Sequence, residues 1–117
     1  MPLDKGLLVL RLKNQQKNLK VWHRVLINLY ILGGYETPIK ITTLRDACYN
    51  GKLTPHQRDA LYGTIWKTAE KLRIDGNLKR YNNPVRYQLV YSRRVAGFLA
   101  MVAKRLGFPN ARMEDFL

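Results

Sequence analysis

The segment Thr54-Pro55-His56-Gln57 constrains the fold most, because it fixes the start of a helix near the middle of the chain. Threonine before the first helical residue and glutamine three positions later form a capping box, in which each side chain bonds the other residue's backbone N–H. Proline suits the first helical position. The spacing predicts a helix from Pro55 to about Arg73, closed by Asp75-Gly76. Its apolar stripe consists of Leu61, Ile65, Ala69 and Leu72.

Two helices are predicted before this capped helix. Apolar residues recur at spacings of three and four from Leu19 onward, and Gly33-Gly34 supplies a stop, which indicates the first helix. The alternation in 39–41 allows one short strand. A helix of about two turns over 43–49 follows, with Thr42 or Thr43 as its N-cap and Asn50-Gly51 as its end. The helix starting at Pro55 is then the third.

A hairpin and a fourth helix are predicted after the third helix. Leu78–Tyr81 and 85–89 read as two strands joined by Asn82-Asn83-Pro84. Ser92 is a suitable N-cap for the fourth helix, which Gly107 and Pro109 end. Two terminal segments are less defined: residues 1–18 form an N-terminal arm whose spacing fits a helix or a strand, and 109–117 is expected to be a loose tail.

The charge of the chain is its most informative bulk property. In 117 residues there are 21 Lys and Arg against 8 Asp and Glu, which gives a formal net charge of +13. Such a field attracts polyanions, and phosphate contacts gain further from counterion release. The same charge would also fit a protein that binds a membrane surface, or a basic protein without a specific partner. Both hypotheses are weaker, because the helices have core-facing stripes. We expect a nucleic-acid partner and no membrane.

Enzymatic chemistry finds little support in the sequence, and we expect neither a metal nor a cofactor. His23, His56 and Cys48 are too few and wrongly spaced for a zinc site, and the acidic residues show no close pair. Cys48 reads as a small core residue and His23 as a core or boundary residue. A single cysteine forms no internal disulfide. We expect an intracellular protein, located in the cytoplasm or nucleoid, or in the host-cell cytoplasm if the protein is viral.

The order of these elements resembles the winged helix-turn-helix family over residues 19–91. The resemblance rests on the short helix over 43–49, the turn Gly51-Lys52-Leu53, the helix Pro55–Arg73 and the basic hairpin Leu78–Leu89. It implies a mainly α fold with a small β-hairpin (α+β), in which the third helix lies in the major groove and the hairpin contacts the phosphate backbone. Residues 92–108 would be an added C-terminal helix.

The third helix presents a small, polar or basic face away from its apolar stripe. A turn of 100° per residue places His56, Ala60, Gly63, Lys67 and Lys71 on that face. An exposed helical glycine costs about 1 kcal/mol relative to alanine, so Gly63 indicates either close approach by a ligand or packing against Trp22 or another core aromatic.

The predicted nucleic-acid contacts come from this face, the turn and the hairpin. Strand alternation directs Lys79, Tyr81, Arg86 and Gln88 outward, with Arg80 near the tip. Hairpin contacts to phosphates would position the protein, and helix contacts would specify the sequence. The complete set is Arg45, Lys52, Thr54, His56, Gly63, Lys67, Lys71, Lys79, Arg80, Tyr81 and Arg86.

Double-stranded DNA binding, as a transcriptional regulator or architectural protein, is the leading hypothesis. An RNA-binding or ribosome-associated winged helix is the alternative, because cations are spread from Lys5 to Arg112. A protein–protein adaptor is the third. The fourth helix has an apolar stripe that either folds back on the first helix or, as we favour, pairs with a second copy in a homodimer. The predicted dimerisation residues are Val95, Phe98, Leu99, Val102 and Leu106.

Overall fold

The computed structural model describes residues 3–49 and 52–117. Within these ranges the chain forms five α-helices and one antiparallel sheet of three strands, which confirms a mainly helical α+β class. The helices are α1 Lys5–Gln15, α2 Val21–Gly33, α3 Ile41–Cys48, α4 Pro55–Ile74 and α5 Arg93–Arg105, and the strands are β1 Ile39–Lys40, β2 Leu78–Tyr81 and β3 Arg86–Leu89. The predicted helix end Asn50-Gly51 and the first two residues of the predicted arm lie outside the described ranges.

Helix α4 begins as the capping box predicts. The Gln57 backbone N–H donates to the Thr54 hydroxyl at 3.2 Å, and the Thr54 backbone N–H donates to Gln57 Oε1 at 3.0 Å. Helix α5 is capped in a similar way, since the Val95 N–H donates to the Ser92 hydroxyl at 3.1 Å. These side chains satisfy backbone donors that the first helical turn leaves without partners. Both predicted helix starts are confirmed.

Helix α3 begins at Ile41, so Thr42 and Thr43 are not its N-cap as predicted. The reason is a contact between residues that are distant in sequence. Ile41 is buried, and its N–H donates to the Val85 carbonyl at 3.2 Å, so β1 passes directly into the helix. Lys40 occupies the N-cap position without a side-chain cap.

The three strands are ordered β1-β3-β2, with β3 in the centre. Leu78 pairs with Leu89, and Tyr87 pairs with Arg80 on one side and Ile39 on the other. Leu78, Tyr87 and Leu89 are buried, so one face of the sheet packs on the helices. The predicted inward face is confirmed for these three residues, whereas Val85 is half-buried and precedes β3.

The segment 5–18, for which the sequence allowed a helix or a strand, is helical and belongs to the core. Asp4 caps α1 by accepting from the Leu7 N–H at 3.1 Å. Leu8 and Leu12 are buried. A 3-10 turn, Gln16–Asn18, then carries the chain to α2.

A buried polar network connects this segment to α2 and α3. Asn28 Nδ2 donates to Gln16 Oε1 at 2.6 Å, and Gln16 Nε2 donates to the Ala47 carbonyl at 2.8 Å. Cys48 lies beside Asn28 and is fully buried, as predicted for a core cysteine. Since buried amides are costly unless paired, these bonds select one relative placement of the three elements.

The predicted dimerisation stripe lies inside the chain's own core, which corrects the prediction that these residues form a dimer surface. Val95, Leu99, Val102 and Leu106 are all 0% exposed, and Phe98 is partly buried. Helix α5 packs on α2, where Phe98 meets Trp22 edge to face at 5.4 Å, and on the C-terminal segment. Fully buried side chains offer no surface to a second copy, so the alternative of folding back on the first helix is the one observed.

The C-terminal residues are packed rather than loose, which corrects the predicted tail. A 3-10 turn, Met113–Phe116, ends the chain, and Phe116 is 1% exposed. Its ring meets Tyr30 at 5.0 Å, and its carbonyl accepts a hydrogen bond from the Tyr35 hydroxyl. The segment therefore closes the core beside the C-terminal end of α2.

We expect Phe116→Ala to lower the free energy of unfolding by about 3–5 kcal/mol, as for other phenylalanines removed from packed cores. Urea denaturation of the two proteins would measure the difference. Leu117→Ala is the matched control, since Leu117 is 43% exposed, and it should change stability little. Equal, small effects of both substitutions would show that the C-terminal segment is not part of the core.

Candidate nucleic-acid interface

The N-terminal part of α4 projects from the body of the protein. All seven residues 54–60 are exposed, and close packing of the helix resumes around Ile65, Ala69 and Leu72. Leu61, predicted in the core stripe, is only half-buried. A helix of this length spans about 30 Å. This end of the helix is therefore accessible from solvent.

Gly63 lies on the outer face of α4 with open space above it. A Cβ atom built at this position has no neighbouring heavy atom within 4 Å. The reading in which Gly63 packs against Trp22 or another core aromatic is therefore wrong. Nothing inside the described protein requires glycine here, and a glycine is the residue that allows another backbone to approach a helix most closely.

Helix α4 presents cations on this outer face. His56, Lys67 and Lys71 are exposed, and neither lysine forms an ion pair within residues 3–49 and 52–117. Asp59 is also exposed on the helix and reduces the positive charge near its start. Lys52 and Thr54 are exposed just before the helix, although the Thr54 hydroxyl is used by the cap.

Glu70 joins α4 to the hairpin β2–β3. Its carboxylate accepts hydrogen bonds from Arg73 Nε at 3.1 Å, from an Arg80 guanidinium nitrogen at 2.9 Å and from the Tyr87 hydroxyl at 2.7 Å. One donor comes from α4 itself, one from β2 and one from β3. This carboxylate therefore bonds the helix to both strands of the hairpin, in addition to the apolar packing of the buried sheet face.

Electrostatics at this junction favours the ionised carboxylate. Burial tends to raise the pKa of Glu70, but hydrogen bonds from Arg73 and Tyr87 and the charge of Arg80 lower it overall. The pKa of Tyr87 is raised, first by burial and then by its bond to Glu70. Both shifts keep Glu70 as the acceptor and Tyr87 as the donor at neutral pH.

Two predicted contact residues, Arg80 and Arg45, have internal partners, and their contacts to nucleic acid stay predictions. Arg80, expected near the hairpin tip, pairs with Tyr87 on the inner face of the sheet and bonds Glu70. The Arg45 side chain is only 12% exposed and pairs with Asp46 at 3.0 Å. Their charges are therefore already partly neutralised within the protein.

The outer face of the sheet carries a short basic row. Tyr81 pairs with Arg86, and Arg86 pairs with Lys40 of β1. The Arg86 guanidinium lies 5.8 Å from the centre of the Tyr81 ring. Lys79 is exposed one row further along and pairs with Gln88. The sheet therefore presents three cations and one aromatic ring to solvent.

Lys40 and Trp66 are two interface candidates that the sequence analysis missed. Lys40 lies in the strand that pairs with β3, so its place beside Arg86 depended on a register that no local pattern specified. Trp66 is 41% exposed on α4, three residues after Gly63. The sequence could have indicated Trp66, because a tryptophan on an otherwise polar helix face exposes a large apolar surface to water.

The buried ionisable groups are structural in character. Burial raises the pKa of Cys48 to about 12, which keeps the thiol protonated and a poor nucleophile. His23 is 1% exposed, as expected for a core residue, and burial followed by the charges of Arg105 and Lys20 lowers its pKa. Within the described part of the chain, no group of three His, Cys, Asp or Glu side chains is placed to hold a metal ion.

In the described residues, no helix combines the length and the apolar character needed to cross a membrane. In comparisons with known proteins, no protein-family model, no curated protein and no solved structure matches the chain.

We expect Glu70→Gln to lower the free energy of unfolding by about 2 kcal/mol at pH 7, because hydrogen bonds to a charged acceptor become neutral ones. The pKa of Glu70 is lowered from 4.5, so its stabilisation is full well above pH 4.5 and is lost as the pH falls through the lower pKa of the folded protein. Denaturant unfolding of both proteins between pH 7 and pH 2 measures the difference, which should shrink below pH 4.5.

Glu36→Gln is the control for this series, because Glu36 is exposed and its side chain has no hydrogen-bond or ion-pair partner in the described part of the chain. An equal pH dependence in both variants would contradict the role assigned to Glu70.

Proposed function

We propose that the protein binds double-stranded DNA, with α4 in the major groove and the hairpin β2–β3 on the phosphate backbone. The observation that carries the proposal is the outer face of α4, where Lys67 and Lys71 are exposed without internal ion pairs in the described residues and Gly63 leaves open space. The major groove of B-DNA is wide enough to admit an α-helix. A net charge of +13 supports a polyanionic partner.

The arrangement of elements supports a winged helix as the finer description of the fold. The order α2-β1-α3-α4-β2-β3 and a sheet ordered β1-β3-β2 are the features expected of that family. Helices α2, α3 and α4 contact one another in pairs, as the three helices of such a domain do. In the family the hairpin would be the wing and α4 the recognition helix.

The proposed roles divide between the two elements. Lys40, Lys79 and Arg86 on the hairpin side would contact phosphates and fix the position of the protein, which carries no sequence information. Trp66 and Tyr81 offer rings for stacking on sugars or bases. His56 and Lys67 on α4 would approach base edges, where donors distinguish one base pair from another.

Binding should be steeply salt-dependent. If Lys40, Lys71, Lys79 and Arg86 each neutralise one phosphate, log Kobs against log salt concentration should have a slope of about −3.6 on duplex DNA. Each single change to glutamine should make the slope shallower by about 0.9. Filter binding over a salt series measures this, with Lys104→Gln on α5 as a control that leaves the slope unchanged.

The same series with duplex DNA, structured RNA and single strands tests the choice of nucleic acid. A preference for duplex DNA that persists as salt rises supports the proposal. A persistent preference for structured RNA would replace DNA by RNA as the partner. A slope near zero on all three would contradict nucleic-acid binding and favour a protein–protein adaptor.

Gly63→Ala should separate stability from binding. Alanine fits the open space and should raise the free energy of unfolding by about 1 kcal/mol, since it is the better helix former. If DNA approaches this face closely, the added methyl group should weaken binding about tenfold, which corresponds to about 1.4 kcal/mol.

Gly97→Ala is the matched control, because Gly97 lies inside α5 with equally open space around its Cβ position. It should raise stability without changing DNA affinity. Unchanged affinity in both variants would exclude close contact at Gly63. Thermal unfolding and fluorescence anisotropy with labelled DNA provide the two readouts.

A further inference from the structure

A cavity lies on the opposite flank of α4 from the hairpin. Its volume is about 380 Å³, within the range of small-molecule sites, and it is partly open to solvent. The N-terminal ends of α2 and α5 and the C-terminal end of α4 enclose it. Of the residues that line this cavity, only Lys71 also belongs to the proposed nucleic-acid interface.

Two aromatic rings form one wall of the cavity. Trp22 and Phe98 meet edge to face with their centres 5.4 Å apart, and Leu72 lies beside them. Both rings are only partly buried, so part of each remains uncovered in the cavity. This surface suits a planar ring, which packs well against aromatic edges and faces.

Asn77 is a polar group in this lining that the fold leaves without a hydrogen bond. The residue is 3% exposed, and its side-chain amide has no partner among residues 3–49 and 52–117. Its backbone is fully used, since its N–H donates to the Leu72 carbonyl and its carbonyl accepts from the Val90 N–H. The amide atoms are not fully enclosed, so they meet solvent in the cavity and are open to a ligand.

The charges around the cavity favour an anionic group. Arg94 is held at the rim by a bond to the Asp75 carbonyl at 3.2 Å and lies 5.7 Å from the centre of the Phe98 ring. Lys71 adds a second cation, and the Asp75 carboxylate opposes them. Helix α2 has no side-chain cap and no acidic residue in its first turn, so its N-terminal N–H groups also favour an anion.

We propose that this cavity binds a small aromatic anion, a planar ring carrying a carboxylate. The ring packs against Trp22 and Phe98 and the amide of Asn77 bonds its polar edge. The carboxylate lies between Arg94 and the start of α2. The site shares only Lys71 with the proposed nucleic-acid interface.

Indole-3-acetate is a suitable probe, and indole-3-acetamide is its neutral counterpart of nearly the same shape. In ¹H–¹⁵N spectra of the full chain without nucleic acid, titration with indole-3-acetate should shift the Trp22 indole N–H and the Asn77 side-chain amide. The indole N–H of Trp66 should stay in place, because Trp66 is not part of the cavity. The acetamide should bind about tenfold more weakly or worse, since it lacks the charge.

Two substitutions test the charge, and they are neighbours on α5. Arg94→Gln should weaken indole-3-acetate binding about tenfold. Arg93→Gln removes an equal charge outside the cavity and should change the affinity less than about twofold, because exposed charges are screened. Equal weakening by both, or equal affinity for the two probes, would overturn the proposal and indicate a nonspecific effect of positive charge.

Asn77→Leu distinguishes a binding role from a structural one. Replacing an amide that faces the cavity by an apolar group of similar size should leave the thermal midpoint close to that of the unchanged protein while weakening indole-3-acetate binding. A lower midpoint with unchanged binding would show that Asn77 serves the fold alone and would overturn its role. Because every titration uses the protein alone, failure here leaves the DNA-binding proposal standing.

Discussion

The carboxylate of Glu70 is the interaction on which the geometry of the candidate interface depends. It accepts hydrogen bonds from Arg73, Arg80 and Tyr87, so α4 and both strands of the hairpin meet at one group. A partly exposed ion pair alone would contribute little. The bond from the buried Tyr87 hydroxyl is different, because losing its acceptor would leave a buried donor unpaired. Helix and hairpin therefore form one hydrogen-bonded unit.

The rest of the chain packs without covering the exposed N-terminal part of α4. Helix α5 packs on α2, the C-terminal turn packs on α5, and the network of Gln16 and Asn28 joins the 3-10 turn after α1 to α2 and α3. These additions bury apolar stripes that a three-helix domain would leave in water. None of them covers residues 54–60. The same packing arrangement therefore enlarges the core and leaves the N-terminal part of α4 exposed.

Sequence patterns predicted helices correctly where the stabilising hydrogen bonds join residues close in sequence. The capping box at Thr54, the cap at Ser92 and the stop at Gly33-Gly34 placed α4, α5 and the end of α2 correctly, because the relevant hydrogen bonds join residues three or four positions apart. The exposure of His56 and Lys67 followed from helical geometry alone. The start of α3 was wrong, because the Ile41 N–H bonds Val85, which lies 44 residues away.

The sequence by itself determined a basic, mainly helical chain with a capped helix followed by a hairpin, since caps, periodicity and charge are properties of short segments. Only the tertiary structure decided which charges stay free. Arg80 faces inward because strand pairing places it beside Tyr87, and Lys40 joins Arg86 through the register of β1 with β3. It also decided that the stripe of α5 is core rather than a dimer surface. An apolar stripe specifies that it must be buried, and the partner that buries it depends on contacts distant in sequence.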